Sequence, residues 1–215
     1  MNQPSLTPVK IPLEVGRLNG TLTTPENAVG LVLFAHRNGG SRHSSRNDPI
    51  ASALQQGGIA TLLFDLLTPV EDSRHSNRFN VNLLAERLEL ATAWITEQGA
   101  FSNSPVGYFG VSTEAAAALR AAAHFGEKTR AIVSQSGRPD LAGPDALSAV
   151  TAPTLLLVGG RDTSAIALNR EALGKLNCDR QMHVIPGAKN LSDEPAAVEQ
   201  VATEATAWFS RHFAG

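Results

Sequence analysis

The sequence predicts an α/β domain with a mostly parallel sheet and helices on both faces. Short apolar, β-branched runs alternate with amphipathic stretches along nearly the whole chain. Several of these runs (Leu31 to Ala35, Thr61 to Phe64, Thr154 to Val158) are close to continuously apolar, as strands buried on both faces must be. None approaches the ~20 residues needed to cross a bilayer. The 215 residues suffice for one sizeable core and make two domains thin, so residues 1–215 read as one domain.

The elements follow in order. Val9 to Val15 and Leu18 to Thr23 pair as an antiparallel hairpin, and Gly30 to Ala35 is the first buried strand. A helix from about Arg46 ends at Gly57-Gly58, where two glycines stop it. Ile59 to Phe64 is a strand closed by Asp65, followed by a polar connection carrying Pro69, Glu71 and Asp72. A long helix spans about Phe79 to Gln98, with Leu83, Leu84, Leu88, Ala91 and Ile95 at helical spacing. Pro105 to Phe109 is a strand, Thr113 to His124 an alanine-rich helix and Ala131 to Ser134 a strand. A short loop-helix occupies Pro139 to Ala149. The strand Pro153 to Val158, a helix from about Ser164 to Leu176 and the strand Gln181 to Ile185 come next. The closing helix, Glu194 to Phe213, presents Val198, Val201, Ala205, Trp208 and Phe209 inward.

Charge and composition narrow the function. With 18 basic and 20 acidic residues the net charge is −2, which lacks the basic footprint of a nucleic-acid binder. Arginines cluster at Arg37, Arg42 and Arg46 and again at Arg74 and Arg78. Guanidinium forks suit small anions, and they equally suit solvated ion pairs. A single cysteine, Cys178, precludes an intrachain disulfide, and no zinc-ligand spacing exists. No cofactor and no metal is called for. Met1 to Thr7 lacks a basic-apolar-small signal pattern, so a cytoplasmic location is expected. The expected partner is a small-molecule substrate, without nucleic acid or membrane. The pattern does not decide between a monomer and a homodimer.

Ligands of such sheets bind beyond the carboxyl ends of the strands, which focuses attention on six short segments. Gly110-Val111-Ser112-Thr113-Glu114 follows a strand and opens a helix, the position of a G-x-S-x-G nucleophile elbow. A sharp turn there exposes the Ser112 hydroxyl and aims the Thr113 amide at a developing oxyanion. The last glycine of the pattern is replaced by Glu114. Asp162 follows a later strand, in the order Ser, Asp, His expected of such hydrolases, but the loop Gly187-Ala188-Lys189-Asn190-Leu191 carries no histidine.

These residues resemble the dienelactone-hydrolase-like group of α/β-hydrolases over nearly the whole chain. The resemblance rests on Ala35-His36 with Ser41-Arg42-His43-Ser44, on Asp65-Leu66-Leu67-Thr68-Pro69 and on Gly107 through Thr113. It rests further on Gly137-Arg138-Pro139-Asp140-Leu141-Ala142 and on Leu157-Val158-Gly159-Gly160. It implies an α/β-hydrolase fold without a large cap, for which the stretch between Ser112 and Asp162 leaves no room. It also implies Ser112 as nucleophile, Asp162 as acidic triad member and His36 as an orienting residue beside the oxyanion loop. The base histidine maps onto Asn190 and the residue before it onto Lys189. A small glycine maps onto Arg37.

Four departures (Arg37, Glu114, Lys189 and Asn190) are therefore expected around one shallow pocket. Asn190 has no basic site, and losing a triad histidine costs about 10⁶ in turnover. Lys189 could serve as base in a serine–lysine pair, or lie in solvent paired with Glu114. Glu114 and Asp162 could divide acid and base roles, with Arg37 and Lys189 holding an anionic group. Alternatively, Glu114 is a first-turn carboxylate stabilised by the helix dipole. The expectation is a hydrolase-type enzyme with a remodelled charged site acting on a small polar or anionic molecule. The alternative is a non-catalytic, ligand-binding descendant.

Overall fold

The computed structural model describes residues 4–36 and 49–214. Its eight strands form one sheet in the order β1-β2-β4-β3-β5-β6-β7-β8. The first two, β1 (Ser5–Pro12) and β2 (Arg17–Thr24), make the antiparallel hairpin, and β2 also runs antiparallel to β4 (Ala60–Asp65). Every other pairing is parallel. It joins β3 (Leu31–His36), β5 (Val106–Val111), β6 (Thr129–Gln135), β7 (Thr154–Gly159) and β8 (Arg180–Ile185).

Period-two alternation assigns the two faces. Leu31, Leu33 and Ala35 enter one core with Leu62, Tyr108 and Ile132. The intervening Val32 and Phe34 enter the other with Phe109, Val133 and Leu157. Helices α3 (Val81–Glu97), α4 (Thr113–Phe125), α5 (Pro144–Ala149) and α6 (Thr163–Lys175) bury residues in the first core. The second is closed by α1 (Pro49–Gln56) and α7 (Pro195–Phe213). In α3 the buried face runs Leu84, Ala85, Leu88, Ala91, Thr92 and Ile95, so Leu83 sits at its edge rather than at its centre. Thr92 is tolerated there because its hydroxyl donates to the Leu88 carbonyl at 2.8 Å and meets the Tyr108 hydroxyl at 2.9 Å.

Two connections are more ordered than the sequence reading expected. The polar segment after β4 contains α2 (Pro69–Asp72) and a 3₁₀ turn over His75–Phe79. A capping box starts α2: the Thr68 hydroxyl accepts from the Glu71 amide at 3.2 Å, and the Glu71 carboxylate accepts from the Thr68 amide at 2.8 Å. Pro139 to Ala149 is two short pieces, a 3₁₀ turn over Pro139–Ala142 and then α5. They are separated by Gly143 at φ 86°, a left-handed break that a continuous helix does not cross. Among the described residues no helix is long and apolar enough to cross a membrane.

Candidate active site

Strand order reverses between β3 and β5, so a crevice opens at their carboxyl ends. His36 ends β3 on that edge, and Ser112 stands just past β5. Arg37 lies outside the described residues.

Ser112 is exposed and adopts φ 54°, ψ −126°, a left-handed conformation costly for a residue with a Cβ. The turn exists because Gly110 lets α4 come down on β5. A Cβ at Gly110 would stand 2.6 Å from the Ala115 Cα and 2.9 Å from its amide nitrogen. Small residues continue the fit, with Ala115, Ala116, Ala117 and Ala118 fully buried. Backbone bonds hold the turn from the other side. The Ser112 amide donates to the Gln135 carbonyl at 3.2 Å, and the Arg138 amide donates to the Ser112 carbonyl at 2.9 Å.

Thr113 and Glu114 occupy the first turn of α4 and are both buried. Among the described residues Glu114, 4% exposed, is the one charged side chain that is buried. A carboxylate so placed must be partnered, and Glu114 is engaged rather than free. It also sits at the positive end of the α4 dipole.

Asp162 stands at the N-cap of α6, half-buried, and its carboxylate accepts from the Ala165 amide at 2.9 Å. Its loop is tied to the next one, because the Arg161 amide donates to the Ala188 carbonyl at 2.9 Å. Gly159 permits that approach, since a Cβ there would meet the Ala188 carbonyl oxygen at 2.7 Å. Lys189 and Asn190, both exposed, follow on the second loop.

Asn190 is used by its own loop. Its carboxamide donates to the Asp193 carboxylate, and its carbonyl oxygen accepts from the Ser192 amide at 3.0 Å. One Glu194 oxygen accepts from both the Lys189 and Asn190 amides, at 2.7 and 2.8 Å. These two N–H groups, that of Asn190 first, hold the Glu194 carboxyl below its ordinary value of 4.5. Ser192 in turn receives a bond from the Gln135 side chain at 3.1 Å, which joins this loop to the strand beside the elbow.

Ser112 with the first turn of α4, Asp162, and Lys189 with Asn190 thus each follow the carboxyl end of a strand of the sheet, β5, β7 and β8 respectively. Ser112 makes no hydrogen bond to Asp162, Lys189 or Asn190 among the described residues. Gln135, Ser192, Asp193 and Glu194 escaped the sequence reading, although Asn190-Leu191-Ser192 is the spacing of an asparagine turn and offered a signal. A groove of about 850 Å³ between α1 and α7 reaches Ser192 and Asp193, but Ser112 does not line it. Nearby, Arg138 and Asp140 form a forked ion pair at 2.7–2.9 Å that braces the 3₁₀ turn. Among the described residues no group of three or more His, Cys, Asp or Glu could hold a metal.

No protein-family model matches the chain. The crystal structure of a dienelactone hydrolase from Anabaena variabilis superposes with a TM-score of 0.92 at 47% identity, covering 98% of this chain and 99% of that one. A thermostable carboxyl esterase from Bacillus coagulans gives 0.77 at 13% identity, over 97% and 99%, and speaks for the fold alone. Two Mycobacterium tuberculosis proteins, whose provisional name is phosphoribosyl transferase, are 51% identical over 196 residues, 91% of this chain. The chain spans 44% of the length of these curated relatives. The near-complete match to the Anabaena enzyme, together with the elbow and the strand order, makes this chain a member of the dienelactone hydrolase family of α/β-hydrolases.

Proposed function

We propose that the chain is a hydrolase-type enzyme that acts on a small, polar or anionic ester or lactone at Ser112, with Glu114 in place of the missing histidine. The observation that carries this reading is a buried carboxylate two residues from an exposed serine held at φ 54°. Strain of this kind persists where surrounding structure over-determines it, which is usual of reacting groups.

In this reading Glu114 takes the Ser112 proton, directly or through a water. Ser112 Oγ bonds to the substrate carbonyl carbon, and the Thr113 amide receives the resulting oxyanion. The carbon–oxygen bond to the leaving alkoxide breaks, and that oxygen takes the proton from Glu114. Water then cleaves the acyl-serine by the same steps, leaving a carboxylic acid and free Ser112. Lys189, exposed on the adjoining loop, holds an anionic group of the substrate. The transferase name of the mycobacterial relatives describes proteins more than twice this length and adds no residue to the mechanism.

A second reading, a ligand-binding descendant without turnover, is favoured by one observation. Asp162 caps Ala165 and Asn190 is bonded within its own loop, so neither supports Ser112 as a triad partner would. Hydrolysis of activated esters and glycosides by wild type, Ser112→Ala and Glu114→Gln separates the two. The enzyme reading expects each substitution to lower turnover at least about 10²-fold. Turnover untouched by both substitutions removes Ser112 from the reaction, and its complete absence in wild type leaves the binding reading. Asn190→His tests the remaining framework: a rise of at least tenfold in ester hydrolysis is expected.

A further inference from the structure

Helix α6 buries two residues, Asn169 and Ala172, and the larger of them is polar. Asn169 is fully buried. An apolar side chain would fill this place without the cost of taking a carboxamide out of water. The carboxamide is therefore held there by what it bonds. Its nitrogen donates to the Gly137 carbonyl at 3.1 Å and to the Ala165 carbonyl at 2.9 Å. Both acceptors are carbonyl oxygens, which settles which end of the group is the nitrogen.

The bond to Gly137 crosses from α6 to the turn that follows β6. This turn has no freedom toward α4. A Cβ at Gly137 would meet the Ser134 hydroxyl at 2.1 Å and the Ala115 methyl at 2.7 Å, so its backbone is already wedged against β6 and the first turn of α4. The 3₁₀ turn over Pro139–Ala142 that continues it packs against both α4 and α6. The next amide along, that of Arg138, donates to the Ser112 carbonyl at 2.9 Å. Two bonds in series, Asn169 to Gly137 and Arg138 to Ser112, thus join α6 to the strained serine. Asp162 stands at the start of the same helix, where it caps Ala165, and Ala165 also receives the second Asn169 bond. The segments that follow β5 and β7 are tied together through one buried side chain.

Resting on the reading of Ser112 as the reaction centre, we propose that Asn169 is a positioning residue: its carboxamide fixes the Gly137–Arg138 turn and, through the Arg138 amide, the backbone of Ser112. Full burial puts Asn169 out of reach of any substrate, so it acts through the turn alone. Its loss should therefore slow the chemical step and leave substrate binding largely unchanged.

The test follows hydrolysis of 4-nitrophenyl acetate by wild type, Asn169→Leu, Asn169→Asp, Ala172→Gly and Ser112→Ala, with Tm read for each. Asn169→Leu keeps the volume and removes the donor. Its kcat should fall at least about tenfold with KM within about twofold, since a misplacement of roughly 1 Å can cost about 10²-fold. Ala172→Gly weakens the same buried face without touching the bond. Its kcat should stay within about twofold of wild type despite a lower Tm, which separates positioning from folding. Asn169→Asp supplies the conservative rescue. Burial against two carbonyls raises the pKa of the introduced carboxyl. Below that pKa the protonated acid donates to Gly137, and activity relative to wild type at the same pH should recover. Above it the carboxylate repels the carbonyl, and activity should be lost along a limb that wild type lacks. A kcat for Asn169→Leu within about twofold of wild type overturns the proposal. If Asn169→Leu does not fold, an Asn169→Asp whose relative activity is indifferent to pH overturns it instead. If Ser112→Ala meanwhile abolishes turnover, only the role of Asn169 fails. If Ser112→Ala changes nothing, the reaction centre fails. Should wild type not hydrolyse the ester, hydrogen exchange at the Arg138 amide reads the same tie. Exchange at least about tenfold faster in Asn169→Leu than in wild type and Ala172→Gly supports the proposal, and equal exchange overturns it.

Discussion

Adding one methyl group at Gly110 probes the contact on which the elbow depends. A Cβ there would stand 2.6 Å from the Ala115 Cα, 2.9 Å from its nitrogen and 3.0 Å from the Glu114 carbonyl oxygen, all backbone atoms. Ordinary contact begins near 3.4 Å. The start of α4 must therefore retreat by roughly 1 Å, and overpacking of this size costs about 1–3 kcal/mol. The helix has no slack to absorb it, because Ala115 through Leu119 are fully buried. For a domain of this size Tm should fall by about 2–4 °C per kcal/mol. The same shift displaces Thr113 and Ser112, and a misplacement of roughly 1 Å can cost about 10²-fold in turnover. Gly174→Ala in α6 is the control. Nothing lies within 4 Å of the added carbon, and alanine in a helix is about 0.5–1 kcal/mol better than glycine. Urea unfolding of the two variants should thus move in opposite directions. A Gly110→Ala midpoint at or above wild type would refute the close-approach argument.

Two further outcomes follow from bonds described above. Because the Thr92 hydroxyl donates to Leu88, the Tyr108 hydroxyl must donate to Thr92, and burial pushes its phenol pKa up. Tyr108→Phe should cost about 0.5–1.5 kcal/mol, and a double-mutant cycle with Thr92→Val should be non-additive; additivity within about 0.3 kcal/mol would remove the bond from the account. Glu194→Ala should speed hydrogen exchange at the Lys189 and Asn190 amides by at least about tenfold. Because the folded carboxyl titrates below 4.5, wild-type protection should be full above that value and fade as pH drops through the lowered one. Protection indifferent to pH between 2 and 6 (roughly, the carboxylate range) would count against the Glu194 bonds.

The fold was legible because the strands write their burial into adjacent residues. Val32 and Phe34 face one core, Leu31 and Leu33 the other, so no polar position interrupts the run. The elbow was legible too, since its close contact and exposed serine need particular residue types at fixed spacing. What stayed hidden depends on side chains reaching across gaps. Asn190 reads as an empty base position until Asp193, Ser192 and Glu194 are seen to fold its loop upon itself. The need for a glycine at 137 is equally invisible in the sequence, because only its packing against Ser134 and Ala115 reveals it. Glu114 could be placed in the first helical turn from sequence, whereas its burial required the neighbours of α4.

The ties between loops along the carboxyl edge have an evolutionary consequence. Ser112 is bonded to Gln135 and Arg138, Gln135 to Ser192, and Arg161 to Ala188. Mutations on these loops share partners, so their effects should not add. A change that improves one background can be worthless in another, and laboratory selection for a new substrate will advance faster through libraries randomised at several of these positions together than through single substitutions accumulated in turn.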